Sequence, residues 1–182
     1  MSAPKEDRRA KLVEAGLAIL REDGLAGFTQ LRVAARVDLK QGHLTYYFPT
    51  RTDLLVAVAR SAIDTQLASL ERMINEATSI DGAIAAIAAV TVRHENTRVL
   101  VAMNQASDQE PEVRALFNEM TDAFVAKLGE LLTRFGLDAS QDRIDLLHAL
   151  FVGLSVVDLA TSRENGKARN SAALATAFRL LT

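Results

Sequence analysis

The sequence predicts an all-α protein. Two observations carry that expectation: apolar residues recur at helical spacing along almost the whole chain, and no stretch shows the short apolar–polar alternation of a half-buried strand between turn signals. Composition agrees. With 182 residues, 49% of them hydrophobic, the chain can bury a real core, and disorder is excluded as its main state. It has no cysteine, hence no disulfide framework, thiolate metal site or cysteine nucleophile, which suits a reducing compartment. The uncharged apolar runs Gly82 to Val92 and Leu146 to Val157 are shorter than the roughly 20 residues that span a bilayer, so no membrane segment is expected. Residues 1–11 are dominated by charge and lack the apolar stretch of a secretory signal, and a cytoplasmic location is expected.

The elements follow in order. A first helix covers residues 5–23 with Leu12, Val13, Gly16, Leu17 and Leu20 on one stripe, and Gly24 closes it by taking a left-handed conformation. Thr29 caps a short helix over residues 30–36, with Leu31, Val33 and Ala34 inward. Val37, Asp38 and Leu39 form a turn into a second short helix, residues 40–47, which Pro49 ends. Two short helices joined by a tight turn make a helix-turn-helix. Thr50, with Asp53 three positions on, opens a long helix over residues 51–77 with the stripe Leu54, Leu55, Val58, Ala62, Ile63, Leu67, Leu70 and Ile74. Ser79 caps a helix reaching Arg93, another spans residues 96–107, and Pro111 opens one running from Val113 to Phe135 before Gly136. Ser140 caps a helix to Arg163, Asn165 and Gly166 break it, and residues 171–181 form the last.

A net charge of −2 hides an asymmetry: residues 1–51 hold nine Lys or Arg against six Asp or Glu, while the remaining 131 residues carry −5. Residues 29–51 contain four cations, one anion and His43, with Tyr46 and Tyr47 among them, the mixture expected where a surface meets phosphate. The stretch Gly24, Phe28-Thr29, Val33-Ala34, Val37 to Leu39, Gly42, Leu44, Tyr46 to Arg51 and Leu54-Leu55 resembles the tetracycline-repressor-like (TetR) family of bacterial transcription regulators. The resemblance runs in one register through about fifty residues, including Tyr-Phe-Pro followed by a hydroxyl residue and a cation. It implies a homodimer with a helix-turn-helix head, residues 1–51, and a helical effector-binding and dimerisation body, residues 52–182. It also implies a ligand-responsive regulator, in the usual case a repressor, acting on a palindromic double-stranded operator.

Residue chemistry supports that reading. Lys40, Gln41 and His43 lie at the N-terminal end of the second short helix, where a recognition helix enters the major groove, while Leu39 and Leu44 turn inward. Gln41 can pair with an adenine edge, His43 can donate to a base or phosphate, and Gly42 admits close approach of DNA to the backbone. Thr45, Tyr46, Tyr47 and Arg51 suit phosphates. With Thr29 and Arg32 these complete the candidate DNA-binding set. Asp38 stands where the family places a turn glycine and must take a left-handed conformation; Lys40 stands where a Ser or Thr cap is common and cannot accept the helix N–H bonds.

In the body, residues 140–163 are apolar nearly all round, so this helix is expected to be covered on more than one side. Ala149, Gly153, Val156 and Ala160 form a small-residue strip, which with Leu174 and Phe178 of the last helix is the candidate dimer seam. His148, Phe151, Ser155 and Asp158 form a polar strip; with Met103, Asn104, Gln105, Phe117, Met120 and Phe124 they are the candidate lining of a pocket for a small, largely apolar effector. His43, His94 and His148 have no metalloprotease spacing, and there is no phosphate-cradling glycine loop or nucleophile elbow. No cofactor, metal or catalytic residue is expected. A helical dimeric scaffold without DNA reading, or a small helical enzyme, are the alternatives; retardation of duplex DNA and turnover distinguish them.

Overall fold

A computed structural model describes residues 5–181, and all regular structure among them is helical. The helices are α1 (Lys5–Gly27), α2 (Gln30–Arg36), α3 (Gln41–Tyr47), α4 (Arg51–Glu76), α5 (Ile80–Thr91), α6 (His94–Ser107), α7 (Pro111–Arg134), α8 (Gln141–Thr161) and α9 (Gly166–Leu181). Most of the punctuation read from the sequence recurs in the backbone; Ser140 stands at the N-cap of α8 but its side chain makes no cap hydrogen bond. Gly24 leaves helical geometry at φ 67°, and one further turn carries α1 to Gly27. Ser79 accepts the Gly82 N–H at 3.1 Å, Asp53 accepts both the N–H and the hydroxyl of Thr50 at 2.8 Å, and Gly136 is left-handed after α7.

Three expectations change. Leu31 is 62% exposed, because it precedes Val33 by two positions, about 200° around the helix, and only the Val33–Ala34 face turns inward. The last helix starts at Gly166 instead of Ser171: left-handed Ser162 and Asn165 reverse the chain within four residues, so Gly166 can begin a helix at once. Finally, α8 has 21 residues and an 18-residue window of mean hydropathy 1.7, so by length and composition it is long and apolar enough to cross a bilayer. The apolar run between Leu146 and Val157 understates it, since the helix extends through isolated polar residues on both sides.

The chain forms two compact units. The first comprises residues up to Thr65 with Arg98–Asn118. Its core contains Leu12, Leu20, Phe28, Val33, Leu44, Phe48, Leu54, Leu55 and Val58, each at most 2% exposed, with Met103 and Val113 also buried. Fully burying a side chain of this size stabilises by about 1.5–3 kcal/mol relative to exposure, so α2 and α3, too short to persist alone, are held by Val33, Ala34 and Leu44. The second unit comprises Gln66–Thr97 and the residues from Glu119 on. There α9 lies along α5 and against α8, around Leu70, Ile74, Ile84, Ile87, Leu128, Leu131, Leu132, Ile144, Leu147, Leu174 and Phe178.

Candidate nucleic-acid interface and effector site

The candidate reading surface is built by the turn before α3. Thr29 caps α2, accepting the Arg32 N–H at 3.2 Å, and the chain then reverses through Asp38 at φ 55°, with Leu39 N–H donating to Ala34 O at 2.9 Å. Asp38 thus takes the glycine-like conformation its position demands. Lys40 sits at the N-cap of α3 in an extended conformation and makes no side-chain cap bond. With Leu44 turned fully inward, Lys40, Gln41, Gly42 and His43 are all exposed. A Cβ added to Gly42 would meet nothing within 4 Å, so no neighbour inside the protein requires glycine there. Thr45 Oγ1 donates to Gly42 O at 3.1 Å, and Tyr46, 69% exposed, stands edge-on to Tyr47 with ring centroids 5.3 Å apart.

The cations around this surface are differently disposed. Arg32 pairs with Asp23 and donates to Gly27 O at 3.0 Å; the absence of a Cβ on Gly27 makes room for both Asp23 and the guanidinium. Arg36 forms a two-pronged pair with Glu22 at 2.6 and 2.7 Å, and this hydrogen bonding holds the Glu22 carboxyl below the usual range and raises Arg36. Arg51 donates from Nε to Phe28 O at 3.1 Å, with its guanidinium 5.8 Å from the Phe28 ring centre. Gln30 donates to Phe48 O at 2.8 Å. An open cleft of about 610 Å³ borders the turn after α3, with Arg9, Tyr47 to Thr50, Thr52, Glu110 and Glu112 on its walls; inside it Thr52 Oγ1 donates to Glu110 at 2.7 Å.

In the second unit, the polar strip of α8 acquires partners. Asp158, 8% exposed, receives His94 Nε2 at 2.9 Å, and its carboxylate lies where a Cβ on Gly166 would be. Ser155 donates to Phe151 O of its own helix at 2.9 Å. Phe124 of α7 stands 5.1 Å from His148 and 4.8 Å from Phe151, ring centre to ring centre. Burial pushes the His148 imidazole below its ordinary value. Phe124, His148, Phe151, Ser155 and Asp158 therefore share one side of α8, with Met120 half-buried on α7. His94 was not anticipated: it lies 64 residues from Asp158, and nothing in its local sequence marks it as a partner.

The rest of the anticipated lining does not join them. Met103 is 1% exposed in the core of the first unit, whereas its neighbours Asn104 and Gln105 face solvent, because three consecutive helical residues fan over about 200° and cannot share one wall. Phe117 is half-buried and also belongs to the first unit. The seam is corrected likewise: Leu174 and Phe178 are buried in the second unit's own core, so they are unavailable to a partner, while Ala149, Gly153, Val156 and Ala160 are all exposed. Among the described residues no group of three or more His, Asp or Glu could hold a metal ion.

Residues 75–182 match the family profile of the tetracyclin repressor-like C-terminal domain, and residues 12–58 match that of the bacterial regulatory proteins of the tetR family. The chain belongs to the TetR family. No curated protein matches it in sequence. Solved structures share the fold of this TetR-family regulator: a transcriptional regulator from Rhodococcus sp. RHA1 is 19% identical over 95% of both chains, with a TM-score of 0.81. A protein assigned as a transcriptional regulator from Saccharomonospora viridis, solved with choline, is 14% identical over 94% of this chain and 95% of its own, with a TM-score of 0.80. The multidrug binding protein EbrR, solved with imidazole, is 21% identical over 96% of each chain, with a TM-score of 0.69. A ligand-responsive DNA-binding regulator is thus the family frame in which the TetR head and body operate.

One side of α8 is left uncovered by the chain itself. Leu146, Ala149, Gly153, Val156, Val157 and Ala160 line one exposed face at spacings of three and four, and a Cβ at Gly153 would meet nothing within 4 Å. On α9, Ala172, Thr176 and Leu180 are likewise exposed along one side. The body of this TetR-family chain thus carries an exposed apolar helix face among its described residues.

Proposed function

We propose that the protein is a homodimeric transcriptional repressor, seated by α3 in successive major grooves of a two-fold symmetric operator and released by a small effector bound in its body. The observation that carries this is the exposed face Lys40–His43. Glycine in a helix costs about 1 kcal/mol against alanine, and here no neighbour inside the protein compensates. An external surface, the floor of a groove, supplies the reason. Gln41 reads an adenine edge, His43 contacts base or phosphate, and Lys40, Thr45, Tyr46 and Tyr47 place the head, with Thr29 at the start of α2 beside the backbone. The dimer forms through the exposed faces of α8 and α9. Selection of bound sequences from a random duplex pool tests the reading: a symmetric site supports it, and indifference to sequence refutes it.

The effector site is the side of α8 shared by Phe124, His148, Phe151 and Asp158. The Phe124 and Phe151 rings, with the buried Asp158 carboxylate two turns further along the same side of α8 and paired with His94, favour a compact organic cation that stacks on the rings and draws on that carboxylate, in keeping with the choline held by the Saccharomonospora viridis structure. Choline should raise the melting temperature more than its uncharged carbon isostere does, and Phe124→Leu and Asp158→Asn should each reduce that shift. Equal shifts by the two compounds would remove the charge-based assignment.

A further inference from the structure

The connection from α1 to α2 leaves backbone carbonyls that no helix satisfies, and three side chains of the head converge on it and on the turn after α3. Arg51, in the first turn of α4, holds Phe28 O at 3.1 Å and lies over the buried Phe28 ring; Leu25 O is within reach of its second nitrogen at 3.5 Å. Arg32 spans Asp23 and Gly27 O, in space left by the missing Gly27 side chain. Gln30, the first residue of α2, holds Phe48 O, which closes α3. Arg51 also stands where phosphate contact was expected. Its geometry argues against that as its main role: the guanidinium carbon sits over the Phe28 ring, 5.8 Å from its centre, and its donors point at main-chain oxygens. Among the described residues, Lys40 is the cation of residues 29–51 with no partner inside the protein.

We propose that Arg51 is a positioning residue, the centre of a polar clasp with Arg32 and Gln30 that fixes the angle at which α2 and α3 present the reading surface. The proposal rests on the DNA-reading function given above and concerns how the head achieves it. A planar, forked guanidinium can satisfy carbonyls while stacking on a ring, and a lysine ammonium cannot reproduce both. A phosphate contact needs only the charge, so lysine is the discriminating replacement.

The experiment compares wild type, Arg51→Lys, Arg51→Gln and Gln30→Met on the selected operator and on random duplex over a range of salt, with circular dichroism and melting curves verifying that each variant is folded. The clasp predicts that Arg51→Lys loses the operator-to-random affinity ratio nearly as fully as Arg51→Gln, by about tenfold, the scale of one lost base contact. It also predicts that the salt slope of Arg51→Gln stays at the wild-type value. Gln30→Met, which changes no charge, should lower the same ratio. Operator affinity kept by Arg51→Lys, with a slope for Arg51→Gln reduced by about 0.9 per lost contact, would instead make Arg51 a phosphate anchor and overturn the clasp. A Gln30→Met protein with an unchanged ratio counts against it independently. Failure of the wild type itself to prefer any sequence would overturn the DNA-reading function, a result distinct from either variant outcome.

Discussion

At Gly42 stability and the proposed DNA contact make opposite demands. Alanine fits without a clash and removes a helix cost of about 1 kcal/mol, so Gly42→Ala should raise the melting temperature while weakening operator binding through its added methyl group. Melting curves and operator titration on the same preparation check both signs; a variant more stable and equally tight would show that α3 does not approach DNA closely there. Gln41→Ala should cost roughly 1–3 kcal/mol on the operator and relax preference at one base position, with little effect on random duplex. His148 gives a pH dependence. Burial lowers its folded value below the ordinary imidazole value of about 6.5, so between those two values the unfolded chain binds more protons. Its contribution is therefore fully present above about 6.5 and declines as the pH falls toward the folded value. His148→Gln should flatten the fall in melting temperature on acidification, and an unchanged profile would mean that the ring is not buried in solution.

At the scale of elements, α8 carries the clearest expectation. Its exposed face is apolar and small-featured, and Gly153 has open space around it within the chain. Gly153→Leu should leave the isolated chain's packing intact and drive helices apart at a symmetric seam, where overpacking typically costs about 1–3 kcal/mol per site. Sedimentation reads the outcome: a variant that remains dimeric at low micromolar concentration would place the seam elsewhere. The two short helices of the head show the opposite balance. They bury little of their own, yet α2 is tied by Arg36 to Glu22, by Arg32 to Asp23 and by Gln30 to Phe48 O. Exposed ion pairs of this kind contribute little individually to stability, and in the proposed clasp their use is orientation.

For the whole molecule, the effector and DNA must be linked by one coupling free energy. If the cation lowers operator affinity by some factor, operator must lower affinity for the cation by the same factor, and couplings of about 1–3 kcal/mol correspond to 5- to 150-fold. Titrating choline with and without operator tests it; a compound that stabilises the protein and leaves operator affinity unchanged is not the effector.

The sequence by itself determined the all-helical class, the position of the helix-turn-helix and most helix boundaries. These depend on local rules: a left-handed glycine at Gly24, a hydroxyl cap at Thr29, a capping pair at Thr50 and Asp53, and apolar periodicity. What required the tertiary structure was every property that depends on a partner distant in sequence. Asp158 meets His94, Arg51 turns to Phe28 O instead of outward, and Met103, Leu174 and Phe178 fill cores although their helical spacing equally fitted a pocket or a seam. Periodicity says that a residue lies on an apolar face; it does not say which neighbour covers that face. Packing decides this through the contacts available to each side chain, and the same packing leaves Lys40 to His43 and the outer side of α8 with nothing of their own chain against them.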